Sequence, residues 1–211
     1  GLGDVYKRQV YRYLACHPIA HMPQIFKVYR GDRYLVVVEE YIEGSSLSEY
    51  LKEGTFEPFE AARIVRDLCC ILNELHTLEC PIIHRDIKPS NVMLTKSGEV
   101  VLLDMNVAKW YDSEEKEDTR LLGTKDYAAP EQAGYGMKAS SDKTDIYAVG
   151  ILLNVMLTGK LPKEKPAQGK LWDIIERCIS LDADTRYSAD ELIERLDNYL
   201  GENTNAGKKD R

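Results

Sequence analysis

Apolar residues recur at helical spacing through Ala61, Ile64, Val65, Leu68, Ile71, Leu72 and Leu75, which predicts a long amphipathic helix over 59–76 with that stripe turned to a core. His76 falls at its end, a surface or capping position. A second stripe, Ile146, Val149, Leu153 and Leu157, follows Asp145, and two further helical patterns cover 171–179 and 189–200. The last opens on Ser188 with Glu191 three residues on, the pairing of a capping box. Near the start, 10–15 suits the end of a helix, and Pro18 and Pro23 forbid continuous helix beyond it. Segments 26–29 and 34–40 read as two strands joined by a turn at Gly31-Asp32, the second rich in β-branched Val. Val92-Met93-Leu94 and Val100-Val101-Leu102-Leu103 bracket Lys96-Ser97-Gly98, the pattern of a hairpin.

The first nine residues show neither period, and 4–9 resembles the translation of a transposon-end adapter used in sequencing libraries. Segment 1–9 is therefore set aside as non-native, and the natural protein is expected to continue upstream. The polar residues of 201–211 predict a disordered tail.

With 211 residues, 44% of them hydrophobic, the chain has the length of one domain and enough apolar material for a sizeable core. A net charge of −7 argues against a nucleic-acid or anionic-membrane surface, since those partners select basic faces. Cys16, Cys69, Cys70, Cys80 and Cys178 show no paired metal spacing, and read as free thiols that serve mostly as small core residues. No apolar run approaches the length of a membrane span.

The candidate chemistry lies between the long helix and the hairpin, in His84-Arg85-Asp86-Ile87-Lys88-Pro89-Ser90-Asn91. Asp86 can accept a proton from an attacking hydroxyl, and Lys88 can neutralise charge developing on a moving phosphoryl group. Asn91 offers a neutral oxygen to a hard cation such as Mg²⁺. Asp104 follows the hairpin directly, placing a carboxylate opposite Asn91 so that both can share a metal that bridges nucleotide phosphates.

This His-Arg-Asp-x-Lys-Pro-x-Asn run resembles the catalytic loop of eukaryotic-type protein kinases, with Lys88 resembling the serine/threonine members. Ala128-Ala129-Pro130-Glu131-Gln132 and the Leu/Val-rich helix after Asp145 look most like prokaryotic members. Leu102-Leu103-Asp104 resembles the family's metal-binding segment. Gly123-Thr124 and Ala129-Pro130-Glu131 resemble the close of its activation segment, in the family's order. The resemblance implies an α+β protein-kinase-like fold, with a mostly helical C-lobe over 45–200, a hinge at 41–44, and 10–40 as the last part of a small β-rich N-lobe. By family spacing the glutamate of the αC helix falls near Arg8, and no glycine-rich loop or strand lysine precedes it, so the chain by itself is expected to be nearly inactive.

Residue by residue, the resemblance implies that Glu40 and Ile42 present backbone groups to an adenine and that Met93 floors the adenine pocket. It implies that His84 and Arg85 shape the loop, that Thr124 hydrogen-bonds Asp86 and Lys88, that Glu131 and Arg186 form a buried ion pair, and that Asp145 anchors the catalytic-loop backbone. Arg85 pairs in the family with a phosphorylated activation segment. Thr119 is accordingly either a regulatory phosphosite or an ordinary loop hydroxyl. Two departures stand out: Glu39 occupies a position usually apolar or Thr, either backing the adenine pocket or turned to solvent, and Asp104-Met105-Asn106 stands where Asp-Phe-Gly is expected. Met can fill the slot of Phe, and Asn best tolerates a left-handed backbone among non-glycine residues.

The implied function is ATP-dependent phosphoryl transfer to Ser or Thr hydroxyls of a protein substrate. Mg²⁺ is the implied ion, with Mn²⁺ as its alternative, and there is no nucleic-acid partner and no membrane contact by this segment. The implied setting is cytoplasmic, whether free or as the cytoplasmic part of a membrane-anchored parent. The competing reading is a pseudokinase scaffold that binds partners without transferring phosphate.

Overall fold

The longest regular element is a helix, α3 (Pro58–His76), begun by a proline at its first position, where the missing N–H costs nothing. Its whole apolar stripe is buried. A computed structural model describes residues 2–31, 34–106, 108–110, 124–133 and 140–206. In chain order α3 is preceded by α1 (Leu2–Cys16), strands β1 (Ile25–Arg30), β2 (Leu35–Glu39) and β3 (Gly44–Ser46), and the short helix α2 (Leu47–Glu53). After it come β4 (Ile82–Ile83), β5 (Val92–Thr95), β6 (Val100–Leu102), β7 (Lys109–Trp110), α4 (Asp142–Thr158), α5 (Lys170–Cys178) and α6 (Ala189–Ala206).

Helix α4 is the hub, packed against α3, α5 and β4 and apolar nearly all round. Thr144 Oγ1 accepts the Ser141 N–H at 3.0 Å to begin it. Gly159, at φ 68°, ends it in the left-handed conformation that only glycine adopts without cost. Helix α6 lies along α3, with Arg66 Nε 2.9 Å from Asp197 Oδ1 at their rim. Among the described residues the strands form three small antiparallel sheets, β1-β2, β3-β5-β6 and β4-β7. Segments 26–29 and 34–40 do pair as strands, in register Tyr29↔Val36, and the 92–102 hairpin pairs Met93 with Val101. The class is α+β, as expected.

Helix α1 runs unbroken from Leu2, through the segment set aside as non-native. Val10, Tyr11 and Leu14 are buried and anchor the helix, and each residue added upstream then gains a hydrogen bond for little further ordering. The tail does not begin at 201, because α6 continues to Ala206. Its polar residues cover an exposed face, with Lys170 Nζ 2.6 Å from Glu202 Oε2, and Gly201 is tolerated inside the helix for about 1 kcal/mol. Gly44, the last residue of the expected hinge at 41–44, starts β3, where an added Cβ would lie 2.2 Å from the Leu94 carbonyl oxygen, so glycine is required there by close strand approach. Helix α2 is absent from the sequence reading, although Ser46 and Glu49 signal it: the Ser46 N–H donates to Glu49 Oε2 at 2.7 Å.

Candidate active site

Buried β4 delivers the loop that begins at His84, and α4 rises beneath it with Asp145 in its first turn. Asp145 is fully buried and accepts the His84 N–H at 2.9 Å and the Arg85 N–H at 2.7 Å. A third bond joins its Oδ2 to His76 Nε2 at 2.8 Å, so the end of α3, α4 and the loop meet on one carboxylate. His76 is thus not the surface residue that its position at a helix end suggested: its side chain is 5% exposed. Burial pushes the Asp145 carboxyl up, but the His76 and Arg85 hydrogen bonds outweigh it and hold the group below the usual carboxylate range.

Arg85, the next residue, sits at φ 67°, a left-handed conformation that a side chain with Cβ enters at a cost of about 1–2 kcal/mol. His84 Nε2 lies 3.0 Å from the Leu103 carbonyl and its Nδ1 lies 3.3 Å from the Asp86 N–H, so Nε2 carries the proton and Nδ1 accepts. This ring ties the loop to the strand end that carries Asp104.

Asp86 has both carboxylate oxygens engaged. Thr124 donates to Oδ1 through its N–H at 3.1 Å and its hydroxyl at 2.9 Å. Lys88 Nζ at 2.6 Å and Asn91 Nδ2 at 3.1 Å donate to Oδ2. Lys88 also donates to Thr124 Oγ1 at 3.0 Å, closing a ring of charge-assisted bonds. Asn91 sits in a 3₁₀ turn (Pro89–Asn91), where its Nδ2 also reaches the Asp86 carbonyl at 2.9 Å. The Asn91 amide nitrogen faces Asp86, and Ser90 Oγ lies 3.4 Å from its oxygen.

Asp104 lies just past β6 at φ 64°, and its Oδ1 accepts the Asn106 N–H at 2.9 Å. Met105 is buried, filling the apolar slot beside it. Tyr11 of α1 comes from the other side and its hydroxyl accepts the Met105 N–H; burial, then the neighbouring Asp104 and Glu39, push that hydroxyl far above the ordinary phenol range. Glu39 is exposed but lines a small cavity with Tyr11, Asp104 and Met105. Burial and the Asp104 charge push its carboxyl up.

Glu40 ends the first sheet pair, its N–H donating to the Gln24 carbonyl at 2.8 Å while its carboxylate accepts the Gln24 N–H at 3.1 Å. Ile42 lies in the irregular link to β3, and Met93 sits on β5 opposite Ser46. Thr119 and Gly123 lie outside the described residues. Glu131 and Arg186 pair in the lower part as a bidentate couple at 2.7 and 3.1 Å, both nearly fully buried. Arg186 also donates to the Lys143 and Ser180 carbonyls, and Thr144 to Glu131 Oε1 at 3.0 Å. Sequence reasoning missed Thr144, His76 and the buried Gln132. All three act through tertiary partners that local pattern does not announce.

The side-chain oxygens of Asn91 and Asp104 are hard donors that fit Mg²⁺, an ion that takes one or two protein oxygens and completes its shell with phosphate and water. Among the described residues no group of three or more His, Cys, Asp or Glu is gathered to hold a metal.

Residues 8–170 match the family model described as protein kinase domain. The serine/threonine-protein kinase PrkC of Bacillus subtilis is 35% identical over 145 residues, covering 66% of this chain and 22% of that protein. A probable serine/threonine-protein kinase PknB of Corynebacterium glutamicum is 37% identical over 132 residues (61% and 20%). Serine/threonine-protein kinase A of Synechocystis is 35% identical over 136 (59% and 26%). The chain therefore spans about a fifth to a quarter of the length of these relatives.

Proposed function

The chain belongs to the protein kinase domain family, and on that premise we propose that it supplies the catalytic loop and substrate platform of a serine/threonine protein kinase. The observation that carries this reading is the four-donor ring around Asp86, in which Lys88 bridges the carboxylate and Thr124. Every lone pair of the carboxylate is engaged, so a substrate hydroxyl reaches Asp86 only by displacing a donor. Lys88 is the donor that leaves, swinging from Asp86 to the phosphoryl oxygens as charge builds on them. Asp86 takes the hydroxyl proton, and the freed oxygen attacks the terminal phosphorus of ATP as the bond to the ADP oxygen breaks.

Asn91 and Asp104 hold Mg²⁺, or Mn²⁺ in its place, and the ion supplies neutralisation of the nucleotide phosphates. Glu40 and Ile42 present backbone groups to the adenine, with Met93 beneath it. Thr124 and the segment that follows it hold the acceptor peptide, and Lys88 assigns Ser and Thr as acceptors. The work is positioning and electrostatics. Among the described residues no helix is long and apolar enough to cross a membrane.

Transfer of labelled phosphate from ATP to Ser/Thr peptides, at high enzyme concentration and with Mg²⁺, tests the reading. Asp86→Ala is expected to lower the rate by about 10²–10⁴-fold. A rate that Asp86→Ala leaves unchanged overturns the assignment. A second reading, a partner-binding scaffold, is favoured by Glu39 crowding Asp104; nucleotide-independent peptide binding with no transfer in either protein selects it.

A further inference from the structure

Gln132 is 3% exposed and lies in the 3₁₀ turn (Pro130–Ala133) that closes the segment after Thr124. Its Oε1 accepts the Ala129 N–H at 2.9 Å, and its Nε2 donates to the Arg85 carbonyl at 2.9 Å. We propose that Gln132 is a positioning residue that fixes the orientation of Asp86 by holding the Arg85 carbonyl, and so couples the catalytic loop to the end of the activation segment. This rests on the reading of Asp86 as the base.

The peptide unit that carries the Arg85 carbonyl is the one that leads into Asp86. Peptide units are planar, so a donor fixed at that oxygen fixes the Asp86 nitrogen and Cα as well. The preceding unit is fixed from the other side, where Asp145 accepts the Arg85 N–H at 2.7 Å. Arg85 stands between the two clamps at φ 67°, a conformation that persists only where the surroundings over-determine it. His84 Nδ1 holds the second peptide plane at its nitrogen, accepting the Asp86 N–H at 3.3 Å, and Gln132 holds the same plane at its carbonyl end. The two clamps come from different elements.

The amide is required at this place. One terminus must accept from Ala129 and donate to Arg85, which a carboxylate cannot do and a thioether cannot do at either end. Gln132→Glu therefore keeps the Ala129 bond and loses the Arg85 bond, and Gln132→Met loses both at similar volume.

The test compares amide hydrogen exchange across 84–91 in the wild-type chain and both variants, beside thermal midpoint and phosphotransfer kinetics. Losing the donor is expected to speed exchange in 84–91 by about 5–10-fold in each variant, the ratio for one net hydrogen bond, with α3 and α6 unchanged. The rate constant kcat is expected to fall at least as much, with KM for ATP unchanged. Unchanged exchange over 84–91 in folded Gln132→Glu overturns the proposal, whatever the turnover. Faster exchange with undiminished kcat overturns the link to Asp86, and Asp86→Ala separately reports whether Asp86 is the base.

Discussion

Glu39 brings a second carboxylate within reach of Asp104, in a wall shared with Tyr11 and Met105. Its folded-state carboxyl is raised by burial and then by Asp104. The stability it allows is therefore complete below its ordinary value of 4.5 and is lost as pH rises through the higher folded value. Glu39→Gln, which removes the charge at equal size, is expected to raise the thermal midpoint at pH 7 in metal-free buffer. The gain should vanish below about pH 4.5; an unchanged midpoint at pH 7 would mean that the charge is carried without cost. The residue was visible in the sequence as a departure from its family. Its proximity to Asp104 was not, because β2 and the end of β6 are distant in the chain.

At the scale of elements, α4 is held so closely to α5 that a Cβ added at Gly150 would lie 2.6 Å from Cys178 Cβ and 2.8 Å from Ile179 Cγ2. Neither neighbour is the free end of a flexible chain. Gly150→Ala gains about 1 kcal/mol of helix propensity, but overpacking costs about 1–3 kcal/mol. A net loss of stability in urea, with unchanged helical content, is the expected result; a stabilised variant would show that α5 slides away freely. The α3 stripe, the 92–102 hairpin and the Ser188–Glu191 cap were all legible, because their signals are local and periodic. The helix over 2–9 was not, since its support comes from Val10, Tyr11 and Leu14 packing on distant residues. Helix α2 was missed because seven residues carry too little pattern.

Over the whole molecule, Val10 and Leu14 of α1, Ile25 of β1, Leu72 of α3 and Leu152 of α4 belong to one buried cluster. Leu72→Ala should destabilise the chain by about 2–5 kcal/mol. Trp172 fluorescence and far-ultraviolet circular dichroism should shift together in urea, and separate transitions would show that α1 and the first sheet fold apart from the helices. The sequence by itself determined the family and the α+β class and singled out Asp86, Lys88, Asn91 and Asp104 as candidates, because these rest on residue type, spacing and periodicity along the chain. Tertiary structure alone decided that His76 meets Asp145 beneath the loop and that Gln132 holds the Arg85 carbonyl. Those contacts join residues 69 and 47 positions apart. Hydrogen bonds and desolvation act over a few ångströms, so partners that distant in the chain are chosen only when the core closes around them.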